Sequence, residues 1–229
     1  MIIGSGLMAN GFSDYLNRDN VIIFASGVSN SKLINKKAYK REENLLRETL
    51  SLNKNKILVY FSTCSIYDDS LNSGIYVKHK IKMEKIVEDF SDSFYILRLP
   101  QVVGKTSSPT LVNFLFTSII NDDHLKINMR STRNLIGMTD VFIIANYLIT
   151  KKMYINEITN IASPYDLNIL KIVFLIEKIL KKKARYELFD EGHAHSININ
   201  KIKDIIKNEK LFLGDYTNNL LNNFSKDFL

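Results

Sequence analysis

Three continuous apolar runs, each closed by small or polar residues, constrain this chain more than any other feature. Val21-Ile22-Ile23-Phe24 stops at Ala25-Ser26-Gly27, and Ile57-Leu58-Val59-Tyr60-Phe61 stops at Ser62-Thr63. Phe94-Tyr95-Ile96-Leu97-Arg98-Leu99 stops at Pro100-Gln101. Unbroken apolar runs belong to strands covered on both faces, as in parallel sheets. A very short strand over residues 1–6 precedes them, running through Gly4-Ser5-Gly6 into a helix over 7–16. A second helix is predicted over 40–52, with Leu45, Leu46 and Leu50 on or near one face. A third starts near Tyr76, carries Lys80 and continues to about Asp89. Strand alternating with helix predicts an α/β fold built on a doubly wound parallel sheet. Ligands of such sheets bind beyond the carboxyl ends of the strands, where all four small-residue clusters fall.

The pattern changes after Gly104. A helix over 111–120, a basic loop Arg130-Ser131-Thr132-Arg133, a helix over 141–148 and a strand over 158–162 are predicted. A strongly amphipathic helix over 167–183 and a short polar remainder follow. Residues 1–104 read as the core, and 105–229 as a smaller C-terminal lobe packed over the sheet edge.

Composition narrows the class further. Apolar residues make up 45% and charged residues 24% of the 229, ordinary values for a globular protein. No run has the apolar length needed to span a bilayer, and no secretory signal is visible, so a cytoplasmic, non-membrane protein is expected. Cys64 is the only cysteine, which excludes an intramolecular disulfide framework. The formal charge of +7 is spread along the chain, with Lys181-Lys182-Lys183 its longest basic run. That distribution reads as solvated surface, with no nucleic-acid partner expected.

Two local patterns carry chemistry. Gly4-x-Gly6-x-x-Ala9, between a strand and a helix, has the form of a dinucleotide-binding turn. Its glycines let a pyrophosphate reach backbone N–H groups at a helix start. The acid that usually binds the ribose hydroxyls at the end of the second strand is missing, since that strand ends in Ala25-Ser26-Gly27. Tyr76-x-x-x-Lys80 puts a phenol and an ammonium on one helical face. An ammonium beside a phenol favours the phenolate, and the hydroxyl of Thr63 can hold a substrate alcohol or carbonyl. Such a trio suits hydride transfer at a carbonyl carbon. His193 and His195 read as a polar loop and no metal site is expected. His79 is expected to point away from Lys80, and Cys64 reads as a packing residue.

With these motifs in order, the chain resembles the extended short-chain dehydrogenase/reductase superfamily, in its nucleotide-sugar epimerase and dehydratase branch. The likeness runs through Gly4-Ser5-Gly6, Phe24 to Gly27, Phe61 to Tyr67, Tyr76-x-x-x-Lys80 and Leu97 to Gly104. It continues through Arg133 to Val141 and Asn160-Ile161-Ala162. The resemblance implies a reduced Rossmann-like sheet with a small C-terminal substrate lobe. It implies Tyr76 as acid/base, Lys80 lowering its pKa and holding the nicotinamide ribose, and Thr63 orienting the substrate. Cofactor contacts are implied at Gly4, Gly6, Leu7, Ala25, Ser26, Gly27, Ser62 and Pro100, for NAD or NADP. Gln101 and Arg133, with Arg130, are implied to meet a nucleotide-linked sugar. A homodimer through the helices at 42–52 and 76–89 and a place in surface polysaccharide synthesis are implied as well.

Two departures shape the expected activity. Where sugar dehydratases of this branch carry an Asp-Glu pair, this chain has Cys64 and Ser65, so water loss is not expected. The segment between the glycine turn and the Val21 strand is too short for the elements that hold the adenosine half. Ketoreduction is favoured, epimerisation is also compatible, and the alternative is a catalytically degenerate relative that binds a nucleotide or a protein.

Overall fold

Side-chain alternation along the strands sorts the core into two layers. In the computed structural model, which describes residues 1–28, 35–69, 73–106 and 108–228 apart from the Asp227 side chain, the leading half forms β1 (Ile2–Ile3), α1 (Leu7–Gly11), β2 (Val21–Phe24), α2 (Lys36–Leu52), β3 (Ile57–Thr63), α3 (Ile75–Phe90) and β4 (Phe94–Leu99). Ile22, Phe24, Leu58, Tyr60, Phe94 and Ile96 face one way and meet Leu46 and Leu50 of α2 and Met83, Ile86 and Val87 of α3. Val21, Ile23, Val59, Phe61, Tyr95 and Leu97 face the other way, onto Phe12 and Tyr15. Successive strand residues point to opposite faces, so two apolar faces require an unbroken apolar strand.

The chain continues through β5 (Gln101–Val103), α4 (Leu111–Ile120), β6 (His124–Asn128), β7 (Thr132–Gly137), α5 (Met138–Thr150) and β8 (Glu157–Asn160). It ends with β9 (Asp166–Asn168), α6 (Ile169–Leu180), β10 (Arg185–Phe189), α7 (Lys203–Asn208) and α8 (Tyr216–Phe228). The main sheet has the order β1-β2-β3-β4-β8 and is parallel throughout. α5 and α7 add Val141, Ile144, Leu148 and Ile205 to the layer on the α1 side, opposite α2 and α3. The expected doubly wound parallel sheet is present, and β1 is its edge. A second core gathers α4, α6 and α8 around β6 and β7, through Leu115, Phe116, Ile127, Leu135, Ile172, Val173 and Phe224.

Several expected boundaries move for physical reasons. The helix expected over 7–16 stops at Gly11 and gives way to a tight turn over Ser13–Tyr15. Phe12 and Tyr15 are both fully buried, and the turn aims both rings into the core. The helix expected at 40 starts at Lys36, where the Asn35 side chain accepts the Lys37 N–H as an N-cap. Arg133 lies on β7 and not in a loop, in a three-stranded sheet of order β5-β7-β9. The polar remainder holds a strand, β10, which pairs with β6, and the helix α8. Leu220, Leu221, Phe224 and Phe228 of α8 join the second core from between four asparagines and Lys226. No described helix is long and apolar enough to cross a membrane.

Candidate active site

The carboxyl ends of β1, β2, β3 and β4 converge, and the two glycines of the first turn do different work there. Gly4 has φ +125°, and a Cβ on it would lie 2.4 Å from the Ala25 carbonyl oxygen. It is required for β2 to approach β1 and for a backbone conformation that other residues resist. A Cβ on Gly6 meets nothing within 4 Å, and Gly4, Ser5 and Gly6 are all exposed. The ground above the turn is therefore open, as a pyrophosphate would need. Leu7 packs close to Gly104, where a Cβ would come within 2.7 Å of its Cδ1.

Thr63 is the last residue of β3 and Tyr76 sits in the first turn of α3. The Thr63 hydroxyl stands near enough to Tyr76 to lower the pKa of its phenol, so the structure brings the two residues to one strand end. Burial pushes the Tyr76 phenol up to about 12, and the negative charge of Glu42 adds to the rise, against Thr63, which lowers it. Thr63 Oγ1 also donates to Ser65 Oγ at 3.0 Å and accepts the Ser65 N–H at 3.0 Å, which fixes its rotamer.

Lys80 is arranged differently from the sequence expectation. Its ammonium donates to Glu42 Oε1 at 3.1 Å, to the Tyr60 hydroxyl at 2.9 Å and to the Phe61 carbonyl at 3.2 Å. An ammonium has three N–H donors, and all three are engaged. Glu42, on α2, is fully buried and was not singled out by the sequence. It accepts from Tyr60 at 2.8 Å and from the Val28 N–H at 2.7 Å, and its Oε2 lies 3.1 Å from His79 Nε2. Burial alone would raise its pKa, but Lys80, His79, the Val28 N–H and Tyr60 together bring it down to about 2. His79 thus meets the same carboxylate as Lys80, contrary to the expectation that it points away.

Gly27 borders this clasp. A Cβ there would lie 2.8 Å from Lys80 Nζ and 2.9 Å from Glu42 Oε1, so the close approach that its smallness permits is made by these two side chains. Ser26 is held by Arg41, whose guanidinium donates to its carbonyl at 3.3 Å. Ser62 donates to Glu84 at 2.5 Å, and Arg98 grips the same carboxylate at 2.9 and 2.6 Å. Arg98 also donates to the Tyr67 hydroxyl at 3.1 Å. Both Ser62 and Ser26 thus already have protein partners.

Pro100 and Gln101 lie where β4 gives way to β5, and Gln101 is half-buried. Arg133 Nη1 lies 3.4 Å from Asp68 Oδ2 and donates to the Thr132 carbonyl at 2.6 Å. Arg130 instead pairs with Asp190 on the surface, both well exposed. The structure therefore separates the two arginines. Cys64 is buried and its thiol is pushed up in pKa, first by burial, as expected of a packing residue. No cluster of three metal-ligating side chains occurs among the described residues.

Glu42 left a trace in the sequence. It stands four residues before Leu46 and eight before Leu50, on the stripe that those leucines mark as inward-facing. A carboxylate on an apolar stripe calls for a buried partner. Asp68 and Glu84 left no comparable trace.

No protein-family model matches the sequence. No curated protein matches it either. Solved structures do. RMD from Pseudomonas aeruginosa, complexed with NADPH, superposes with a TM-score of 0.75 at 10% identity, covering 99% of this chain and 97% of that one. UDP-glucuronic acid 4-epimerase from Bacillus cereus, in complex with UDP-glucuronic acid and NAD, gives 0.72 at 19% identity, covering 94% and 77%. A dTDP-4-dehydrorhamnose reductase from Clostridium acetobutylicum gives 0.68 at 15%, covering 96% and 85%. At such identities the likeness is one of fold: this chain has the Rossmann-like architecture that these nucleotide-sugar epimerases and reductases share.

Proposed function

We propose that this chain is an NAD(P)-dependent oxidoreductase acting on a nucleotide-linked sugar, with carbonyl reduction as its favoured reaction. The observation that carries the reading is the Tyr76–Thr63 hydroxyl pair at the end of β3, on the same sheet edge as the open glycine turn. The neighbours in fold include a reductase of a keto sugar and an epimerase described with its nucleotide sugar and NAD. NAD(P)H, when bound, supplies the hydride that reaches the carbonyl carbon. Tyr76 donates the proton to the carbonyl oxygen, and Thr63 holds that oxygen in line by a second hydrogen bond. With its pKa near 12, Tyr76 rests as a phenol at neutral pH, the form from which a carbonyl is reduced.

The exposed turn at Gly4, Ser5 and Gly6, with Leu7 at the start of α1, fits the pyrophosphate, and Pro100 would border the nicotinamide. Gln101 and Arg133 would meet the sugar and its diphosphate, for which a guanidinium fork is suited. Leu52, Ile75, Ile81 and Phe90 are exposed on α2 and α3, which supports a homodimer built on these helices. The reaction fits the cytoplasmic stage of surface polysaccharide assembly.

A second reading has its own observation. All three Lys80 donors are occupied and β1 is the sheet edge, so a catalytically degenerate binder of a nucleotide or a protein is the alternative. Calorimetric titration with NAD, NADH, NADP and NADPH separates the two. Binding of a reduced form, with turnover of a nucleotide-linked keto sugar lowered about 10²- to 10⁴-fold in Tyr76→Phe, is the expected result. No binding of any of the four at millimolar concentration overturns the oxidoreductase reading.

A further inference from the structure

In a dinucleotide-binding sheet, mononucleotide-binding halves run outward from the first strand in opposite directions, and the ligand spans the crevice where the direction reverses. This sheet does not reverse. Its order β1-β2-β3-β4-β8 runs one way from β1, and among the described residues β1 pairs with β2 alone. β2 comes second in the chain, yet it stands between β1 and β3, the strand that ends in Thr63. It therefore belongs with the half that carries Tyr76. Residues 12–20, between α1 and β2, make the tight turn over Ser13–Tyr15 and hold no strand. The Met1 nitrogen ties that segment to β1, donating to the carbonyls of Tyr15 at 3.1 Å, Arg18 at 3.0 Å and Val21 at 2.9 Å.

The placement of α1 points the same way. Met8 of α1 packs in the layer of Phe12, Tyr15 and α5, whereas α2 and α3 cover the opposite face. Yet α1, α2 and α3 all join parallel neighbours taken in the same direction along the sheet. Crossovers between parallel strands are almost always of one hand, so a helix on the α5 face suits a connection running outward past β1, not back to β2. α1 thus sits where a helix leading to the other half would sit, and the chain turns back instead. The backbone that follows β2 is engaged within the protein. The Ser26 carbonyl and hydroxyl accept from Arg41 at 3.3 and 3.4 Å, and the Val28 N–H is held by Glu42 at 2.7 Å.

Resting on the oxidoreductase reading above, we propose that this chain holds its nicotinamide cofactor by the mononucleotide half alone. The nicotinamide, its ribose and the phosphate beside the glycine turn are bound, and the adenosine extends past β1 into solvent. Two properties follow from the topology. The phosphate that distinguishes NADPH from NADH is on the adenosine ribose, so the chain does not tell the two apart. Reduced nicotinamide mononucleotide, which lacks the adenosine, is a sufficient ligand. The carboxylate absent after β2 then has no ribose to hold there.

The test is titration of the full chain with NADH, NADPH and reduced nicotinamide mononucleotide, read by the fluorescence of the reduced nicotinamide. AMP and adenosine 2′,5′-bisphosphate serve as competitors. The mononucleotide should bind within about tenfold of NADH, a spread that leaves adenosine little share of the binding. NADH and NADPH should agree within about threefold, and neither adenosine compound should displace the mononucleotide at millimolar concentration. Mononucleotide binding weaker than NADH by more than about tenfold overturns the proposal, because adenosine then has a site of its own. So does a preference between NADH and NADPH beyond about threefold, or displacement by either adenosine compound. Each of these outcomes leaves the oxidoreductase reading standing, since a nicotinamide has bound. Binding of none of the three nicotinamide forms removes the proposal and that reading together.

Discussion

The α1/α5 face of the main sheet and its α2/α3 face are laid on the same strands, yet only the second takes charge into its interior. On the first, Phe12, Tyr95, Val141, Ile144 and Leu148 close a core of apolar and aromatic side chains. Its buried hydroxyls are met locally, Tyr15 donating to Asn146 at 2.8 Å and Tyr95 to the Leu148 carbonyl at 3.1 Å. On the second, Glu42, Glu84, His79 and Lys80 are buried beside Leu46 and Met83. Buried ion pairs are weak contributors to stability compared with apolar side chains of the same volume. The difference is one of chemistry: charge is kept on the face that carries α3, the helix of Tyr76 and Lys80, while Thr63 ends a strand that both faces share.

The comparison can be broken by substitution. Glu42→Ala should cost about 3–5 kcal/mol in urea unfolding, because it leaves Lys80 buried without its carboxylate. Replacing the pair together, Glu42→Leu with Lys80→Met, should recover most of that loss, and failure to recover it would show that the charges themselves hold the fold. Ile144→Ala, on the apolar face, should cost about 2–5 kcal/mol, the range for core truncation.

Acid sharpens the contrast. The Glu42 carboxyl is brought from 4.5 to about 2 in the folded protein, so its stabilisation is complete above pH 4.5 and is lost as pH falls toward 2. Glu43 titrates over the same window, held down first by its bond to Lys82. Unfolding midpoints measured across that window should decline in the natural protein and decline less in Glu42→Gln. The smallest effect is expected at the rim of the same helix pair. Lys82 is half-exposed and bonded to Glu43 at 2.8 Å, and Lys82→Ala should cost less than about 1 kcal/mol in the same unfolding experiment.

Much of this was legible in the chain. The strands at residues 21–24, 57–61 and 94–99 were evident because a strand covered on both faces has no polar alternative. Thr63 and Tyr76 were expected near one another because a strand end and the first turn of the next helix lie close in such a sheet. The second sheet and β10 were not, since β5 and β9 are only three residues each and β7 opens on Thr132-Arg133-Asn134, with no apolar run to mark it. α8 hid its apolar stripe among asparagines. The helix spacing correctly put Lys80 on the Tyr76 face, but said nothing of what else would reach the ammonium first.

The linear order of residues was enough to determine a parallel sheet and its two layers, because periodicity and strand ends are local properties. Which acid meets which base is not local. Glu42 and Lys80 lie on different helices, and their union depends on two helices crossing one strand at Tyr60, with Gly27 leaving the space. Tertiary structure alone decided that the lysine beside the phenol would be answered by a carboxylate.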